Sequence, residues 1–251
     1  MGRLIALVGP NSARKNPKAV RKNFRRIPGY PIHIKIPKAR QCDMLHAIPL
    51  VREEFTMKKV FLGIGLSMLL ALPVLAALKV GDMAPDFSAR GSLAGKEFDF
   101  SLQAALKKGP VVVYFYPSAY TKGCDLEAHT FATMKDKFDA AGATIIGVSG
   151  DSITRLNEFS ADPEYCAGKF PVASDAKLAI ATSYNLTTNA VKPGQLDVRG
   201  TAIDHDFIER TTFVIGKDHK IIATLSSKDD HLAPDEHVKK ALEIVQGLGS
   251  K

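Results

Sequence analysis

Residues 111–132 read VVVYFYPSAYTKGCDLEAHTFA, and this stretch decides the fold. Its first six residues are all β-branched or aromatic, which is typical of a strand buried on both faces, and Pro117 ends that strand. Beyond it, apolar residues recur at roughly helical spacing until Gly142, a residue type that often follows the last turn of a helix. These apolar residues are Leu126, Phe131, Met134 and Phe138. The stretch therefore predicts a buried strand that leads into a helix, with Cys124 in the first helical turn.

Strand and helix patterns continue to alternate downstream of this stretch. The pattern predicts strands at 144–148 and 170–173, helices at 152–160 and 176–184, an irregular segment at 187–205, strands at 210–215 and 220–225 joined by a hairpin turn at 216–219, and a final helix at 234–247. This order predicts an α/β, thioredoxin-like fold, in which a mixed central sheet carries helices on both faces.

The first 76 residues differ in charge from the rest of the chain. They carry 14 Lys and Arg against 3 acidic residues, whereas residues 77–251 carry 20 against 23, so the charges of +11 and −3 sum to the total of +8. Because the part that can fold is slightly acidic, the basic total does not indicate nucleic-acid binding. We predict that residues 77–251 form one compact domain.

A targeting segment precedes this domain. Met57 and two lysines lead into an apolar run at 60–75, and small residues at 74–76 offer a cleavage site, which is typical of a secretory signal peptide at 57–76. The run has 16 residues, short of the roughly 20 that a membrane-spanning helix needs. We therefore expect export, most simply to a bacterial periplasm, and membrane attachment only if the segment stays uncleaved.

Residues 1–56 are rich in Arg, Lys and Pro and lack sustained periodicity. This composition fits an over-extended gene start or a disordered leader, and an Arg-rich transit peptide is the alternative. Cys42 falls in this segment, so Cys124 and Cys166 remain as one candidate pair in the exported product. An even number of cysteines suits an oxidising compartment.

The stretch 111–132 resembles the active-site signature of peroxiredoxins, especially the bacterioferritin-comigratory or Q type. The resemblance is carried by Pro117, Thr121 and Cys124 in the spacing P-x-x-x-T-x-x-C, by Glu127, and by Arg210 in ERTTFVI, and it extends loosely over residues 80–245. It implies a thiol peroxidase that reduces hydrogen peroxide or organic hydroperoxides and is recycled by a thioredoxin-like reductant. The chain is expected to act as a monomer or homodimer.

Peroxide reduction requires a thiolate, and the residues around Cys124 suit its formation. The helix N-terminus and the positive charge of Arg210 are both expected to lower the pKa of Cys124. Complete ionisation gains only about 30-fold at neutral pH. We therefore expect Thr121, the N–H groups near Gly123 and Arg210 to stabilise the stretched O–O bond, and Pro117 to shape the pocket and shield the oxidised sulfur. Gly123 would let the backbone approach the substrate closely.

The resolving cysteine does not stand at the position that the Q-type pattern predicts. In many Q-type members a second cysteine follows the first by five residues, but His129 stands at that position. The resemblance permits Cys166 as the resolving cysteine, and a buried thiol with an external resolving partner is the alternative. Histidines 129, 205, 231 and 237 lack metal-ligand spacing and are expected at the surface, and no metal or other cofactor is expected.

Two other functions remain open from the residues alone. A thioredoxin-like disulfide oxidoreductase would act on protein thiols, but the chain lacks a Cys-x-x-Cys motif. A non-catalytic binding domain with the same fold would not need the four residues Pro117, Thr121, Cys124 and Arg210. In that case Cys124 would be a buried structural thiol.

Overall fold

The computed structural model describes residues 76–249. The proposed leader, nearly all of the proposed signal segment and Cys42 lie outside this range. Among the residues described, no helix combines the length and apolar character needed to cross a membrane.

Nine strands and five helices make up this part of the chain. They are, in order, β1 (Ser88–Leu93), β2 (Lys96–Ser101), α1 (Leu102–Leu106), β3 (Val111–Phe115), α2 (Lys122–Ala140), β4 (Thr144–Ser149), α3 (Ile153–Ala161), β5 (Val172–Ser174), α4 (Ala179–Ser183), β6 (Thr188–Asn189), β7 (Phe207–Ile208), β8 (Thr211–Ile215), β9 (Ile221–Ser226) and α5 (Pro234–Leu248).

Seven strands form one mixed sheet in the order β2-β1-β5-β4-β3-β8-β9, and β6 pairs with β7 separately. Strands β3, β4 and β5 are parallel to one another, whereas β8 runs antiparallel to β3. Alternate residues of β3 contribute to two different apolar clusters on the two faces of the sheet. Tyr114 packs with residues of α2, α3 and α5, whereas Val113 packs with residues of α1 and α4. The predicted mixed sheet with helices on both faces is therefore confirmed.

The helix predicted from the opening stretch is α2, and it ends as expected. Gly142 adopts φ 69°, a left-handed conformation that glycine tolerates without steric cost. The Gly142 N–H donates to the carbonyl of Asp139, and the Ala143 N–H donates to the carbonyl of Phe138. These bonds satisfy carbonyls that the last helical turn would otherwise leave unpaired.

Strand pairing brings several chain segments to one edge of the sheet. The segment after β3 and the segment after β4 both leave the carboxyl ends of parallel strands. Thr211, the first residue of β8, lies opposite Phe115, the last residue of β3. The sequence pattern predicts that Arg210 lies within β8. In the structure, Arg210 immediately precedes β8. Arg210 is therefore delivered to the same edge as the segment that leads to Cys124.

Candidate active site

Cys124 is the third residue of α2 and is 1% exposed. The helix begins after Thr121, whose side chain makes no capping hydrogen bond and instead donates to the carbonyl oxygen of Ser118 at 2.9 Å. Pro117 is the second residue of the connecting segment 116–121, which links β3 to this helix. The segment therefore places the sulfur in the first helical turn, beneath the protein surface.

Arg210 contacts the sulfur directly. Its Nη2 donates to Cys124 Sγ at 3.2 Å, and its Nη1 forms a short ion pair with Oε2 of Glu127. The Arg210 side chain is 10% exposed and that of Glu127 is fully buried. Because Glu127 follows Cys124 by three residues on α2, both groups face the same guanidinium. Glu127 appeared in the sequence signature, but no role could be given to it from the sequence.

Gly123 allows Arg210 to approach the helix closely. A Cβ atom at this position would lie 3.2 Å from Arg210 Nη2 and 3.4 Å from Pro234 Cγ. Such contacts are tighter than most Cβ contacts, so a larger residue would push against the guanidinium. The absence of a side chain at Gly123 therefore helps to seat Arg210 beside the sulfur.

The pKa of Cys124 moves in the direction opposite to the one predicted. Burial is the largest influence and raises the pKa above the usual value for a thiol. The charge of Arg210 lowers it, as expected, and so do the nearby Thr121 side chain and Ser118 backbone, whereas Glu127 raises it. The predicted net lowering is therefore wrong for this conformation, because the prediction did not include the loss of solvent around the sulfur.

Burial also changes the protonation of Glu127. Desolvation raises the pKa of this carboxyl to about 7, while the charge of Arg210 acts to lower it. Glu127 Oε1 has no hydrogen-bond partner among the residues described. Burial therefore opposes the negative charge of this carboxyl, and the guanidinium that contacts Cys124 favours it.

Asp151 holds the segment that precedes α2. Its fully buried carboxylate accepts hydrogen bonds from the Ala119 N–H at 2.8 Å and from the Ser118 hydroxyl at 3.0 Å. It also lies 2.9 Å from Arg155 Nε and 2.9 Å from His205 Nε2. The sequence did not reveal this cluster, because its members come from three separate segments of the chain.

Asp151 and His205 shift each other's pKa values in opposite directions. Burial would raise the pKa of Asp151, but hydrogen bonds from His205, Ala119 and Ser149 outweigh it and hold the pKa below its usual value. Burial would lower the pKa of His205, but Asp151 raises it above its usual value. The His205 side chain is only 9% exposed. The expectation of a surface histidine is therefore wrong at position 205.

His237 supports β8, the strand that Arg210 immediately precedes. It is fully buried, with Nδ1 3.1 Å from Thr212 Oγ1 and Nε2 2.9 Å from Ser227 Oγ. The Ser227 hydroxyl donates to the Leu232 carbonyl, so it accepts from Nε2–H, and Nδ1 accepts from Thr212. This arrangement suits a neutral ring. The expectation of a surface position for His237 is also wrong.

We expect His237 to make the fold sensitive to acid. Burial and the nearby charge of Arg210 lower its pKa to about 4. The unfolded chain binds a proton near pH 6.5 and the folded chain does not, so the stabilising effect of the neutral ring is complete above pH 6.5 and is lost towards pH 4. The loss should reach about 3 kcal/mol. Urea unfolding at several pH values should show a shallower decline for His237→Gln than for the wild type. Equal slopes would contradict this assignment.

Cys166 lies in the turn segment 162–168, which follows α3 and contains no regular strand or helix. It is fully buried in the same apolar cluster as Cys124, and both cysteines are free thiols. Burial, followed by the charges of Asp162 and Asp125, raises the pKa of Cys166 well above its usual value. Cys166 is therefore protonated and shielded from solvent in this conformation.

Four residues singled out by the sequence thus form one group around the sulfur: Thr121, Gly123, Cys124 and Arg210. Cys166 shares the apolar cluster of Cys124, but no described hydrogen bond joins it to that group. Within residues 76–249, no cluster of three or more His, Cys, Asp or Glu residues could hold a metal ion. The residues described place the Cys124 sulfur beside the buried guanidinium of Arg210.

Comparisons with known proteins point to one family. Residues 80–224 match the sequence profile of the AhpC/TSA family. A Mycobacterium tuberculosis protein named as a putative peroxiredoxin is 31% identical over 173 residues, covering 69% of this chain and 99% of that protein. The chloroplastic peroxiredoxin Q of Oryza sativa subsp. japonica is 29% identical over 168 residues, or 67% of each chain.

A solved structure supports the relationship. The crystal structure of a peroxidoxin from Mycobacterium tuberculosis superimposes with a TM-score of 0.56 at 29% identity, covering 68% of this chain and 97% of that one. These relatives favour a peroxidase over a disulfide oxidoreductase or a non-catalytic domain. The chain therefore belongs to the AhpC/TSA family of peroxiredoxins and is a thiol peroxidase.

Proposed function

We propose that Cys124 is the residue that attacks the hydroperoxide. The observation that carries this assignment is the 3.2 Å contact between Arg210 Nη2 and Cys124 Sγ. The sulfur attacks one oxygen of the substrate and the O–O bond breaks. Cys124 becomes a sulfenic acid, and the second oxygen leaves as water or an alcohol after taking up the thiol proton. Hydrogen peroxide and organic hydroperoxides both fit this reaction.

The surrounding donors stabilise charge during this step. Arg210 offers N–H groups to the sulfur and to the breaking O–O bond, while Glu127 keeps the guanidinium oriented. The Thr121 hydroxyl and the N–H groups near Gly123 are further donors, and Thr121 can rotate from the Ser118 carbonyl towards the substrate. Because Arg210 and the backbone donors are already in place in a site shielded from water, little reorganisation is needed from them as charge develops. Pro117 limits access to the oxidised sulfur.

We propose further that Cys166 resolves the sulfenic acid. Its sulfur would attack Cys124 Sγ to form a disulfide, releasing water, and a thioredoxin-like protein would restore both thiols. A disulfide requires Cα atoms about 4.4–6.8 Å apart. Both thiols are buried, with exposures of 1% for Cys124 and 0% for Cys166, and we propose that either the first turn of α2 or the segment 162–168 opens to bring the two sulfurs together. This opening would also present the disulfide to its reductant.

Intact-mass measurement tests this cycle. One equivalent of hydrogen peroxide should lower the mass of the wild-type protein by two hydrogens and protect both cysteines from alkylation. Cys166→Ser should instead gain one oxygen on Cys124, and Cys124→Ser should remain unmodified. A wild-type protein that holds a stable sulfenic acid with Cys166 still alkylatable would exclude Cys166 as the resolving residue.

We also propose that the domain of residues 77–251 is exported, with residues 57–76 removed as a signal peptide. The charged start, apolar run and small-residue site of that segment support this proposal. The destination would be a bacterial periplasm, and the active form a monomer or homodimer. The intact mass of protein purified from its native source reports the mature N-terminus, and a mass that includes residues 57–76 would contradict cleavage.

A further inference from the structure

We propose that His129 and Tyr165 are positioning residues that dock the segment 162–168 against the active-site helix and thereby set how fast Cys166 reaches oxidised Cys124. This inference rests on the proposed role of Cys166 as the resolving cysteine. We call the two contacts, one from His129 and one from Tyr165, the docking contacts.

The first docking contact joins α2 to the segment through a hydrogen bond. His129 lies five residues after Cys124 on the solvent-facing side of α2. Its Nδ1 lies 2.9 Å from the carbonyl oxygen of Glu164, two residues before Cys166. A carbonyl oxygen can only accept, so Nδ1–H donates. The helix that carries one cysteine therefore binds the backbone beside the other.

The second docking contact is aromatic. The Tyr165 ring meets the Tyr120 ring edge-on at 5.6 Å between centroids and stacks with Phe159 at 5.5 Å. Tyr120 itself is buried in the segment before α2, at φ 59°, and the guanidinium of Arg199 lies 3.3 Å from its ring centroid. Tyr165 thus packs against a fixed part of the active-site segment, and Cys166 is the next residue along the chain.

The segment itself is suited to movement. Ala167 adopts φ 52° and Gly168 φ 66°, and the left-handed region is unfavourable for alanine. The segment contributes no strand to the sheet, so it can swing outward without breaking a strand pair. Release of the docking contacts would free Cys166, which is otherwise fully buried.

Release of the segment 162–168 controls the step in which Cys166 reacts with oxidised Cys124. When Cys166 Sγ attacks the Cys124 sulfenic acid, an S–S bond forms and the S–O bond breaks. The departing hydroxide takes the Cys166 proton and leaves as water, so Cys124 is reduced and Cys166 is oxidised. The observed rate scales with the fraction of molecules in which the segment is released. Strong docking therefore prolongs the life of the sulfenic acid and exposes it to further oxidation.

The test compares truncated and conservative variants at each docking contact. His129→Ala removes the donor, whereas His129→Asn keeps a side-chain N–H that can reach the same carbonyl. Tyr165→Leu removes the ring, whereas Tyr165→Phe keeps it. Leu126→Ala serves as the matched control, because Leu126 is 46% exposed on the same helix and makes neither contact.

Rapid-quench alkylation and mass spectrometry follow the two oxidation steps separately. Disulfide formation should be roughly 3- to 10-fold faster in His129→Ala and in Tyr165→Leu than in the wild type. The rate of sulfenic acid formation should be unchanged. The conservative variants and Leu126→Ala should match the wild type, and excess peroxide should produce less sulfinic acid in the two truncated variants.

The outcomes distinguish this inference from the proposed function. Wild-type rates in both truncated variants, with the disulfide still formed, would overturn the docking role alone. Failure of the wild type to form a Cys124–Cys166 disulfide would overturn both proposals. Equal acceleration in Leu126→Ala would also overturn the docking role, because it would indicate a general loosening of α2.

Discussion

Replacing Arg210 with methionine is expected to slow the reaction of Cys124 with hydrogen peroxide by about 10²–10³-fold. Methionine is unbranched and flexible but shorter, and it cannot donate to the sulfur or to the breaking O–O bond. Burial already raises the pKa of Cys124, and Arg210 is the largest influence that opposes this effect. Its loss should therefore reduce the thiolate fraction as well as transition-state stabilisation. Stopped-flow measurement of the second-order rate constant, together with thiolate absorbance against pH, would separate the two contributions.

Arg210→Lys is the control that keeps the positive charge but removes the paired N–H donors of the guanidinium. Lysine keeps a positive charge but has no planar guanidinium to bridge Cys124 and Glu127. We expect its rate to fall between those of the wild type and Arg210→Met, with a smaller rise in the pKa of Cys124. An Arg210→Met variant with the wild-type rate constant would contradict the role of the guanidinium in catalysis.

Replacing Asp151 with asparagine is expected to destabilise the fold by about 3–5 kcal/mol. The substitution keeps the size of the side chain but removes the charge that faces Arg155 and His205, both of which are largely buried. It also disturbs the acceptor for the Ser118 hydroxyl and the Ala119 N–H. The free energy of unfolding from urea titration measures the loss. Peroxide reactivity should fall as well, because the segment before α2 loses its anchor.

Asp99 offers a matched control for this substitution. It also pairs with an arginine, Arg90, at 3.0 Å, but its side chain is 84% exposed. Since solvent screens an exposed pair, Asp99→Asn should leave the urea midpoint nearly unchanged. Equal effects of the two substitutions would show that the buried position of Asp151 does not determine its contribution to stability.

The central part of the fold was predictable because its local patterns agree with its final environment. The apolar run of β3, the helical spacing of α2 and the turn at Gly142 each carry a local signal, and the structure confirms all three. The hairpin between β8 and β9 was predicted for the same reason. The residues beside the sulfur were recognised because a family signature fixes their spacing.

Other elements lacked such a signal. In β1 only Gly91 and Ser92 are buried among six residues, so the strand shows neither clear alternation nor an apolar run. The hairpin that it forms with β2, together with α1, was therefore not predicted. Of these elements, β1 pairs with β5, which lies about 80 residues downstream in the sequence.

The wrong predictions about the pKa of Cys124 and the surface positions of His205 and His237 share a different cause. Burial determines the direction of the pKa shift of Cys124 and places His205 and His237 inside the protein. Burial results from the packing of distant segments, whereas the charge pattern is visible in the sequence. Sequence reasoning identified the charged neighbour of the thiol but could not weigh it against the loss of water.

The arrangement of the sheet separates the reactive edge from the opposite one. Cys124, Asp151 and Arg210 follow or precede strands at one edge, whereas the hairpin at 216–219 leaves β8 at the other. Asp218, at the tip of this hairpin, is exposed. An attachment point introduced there would allow the enzyme to be immobilised on a sensor or electrode in a single orientation, with its peroxide-consuming side turned towards the sample.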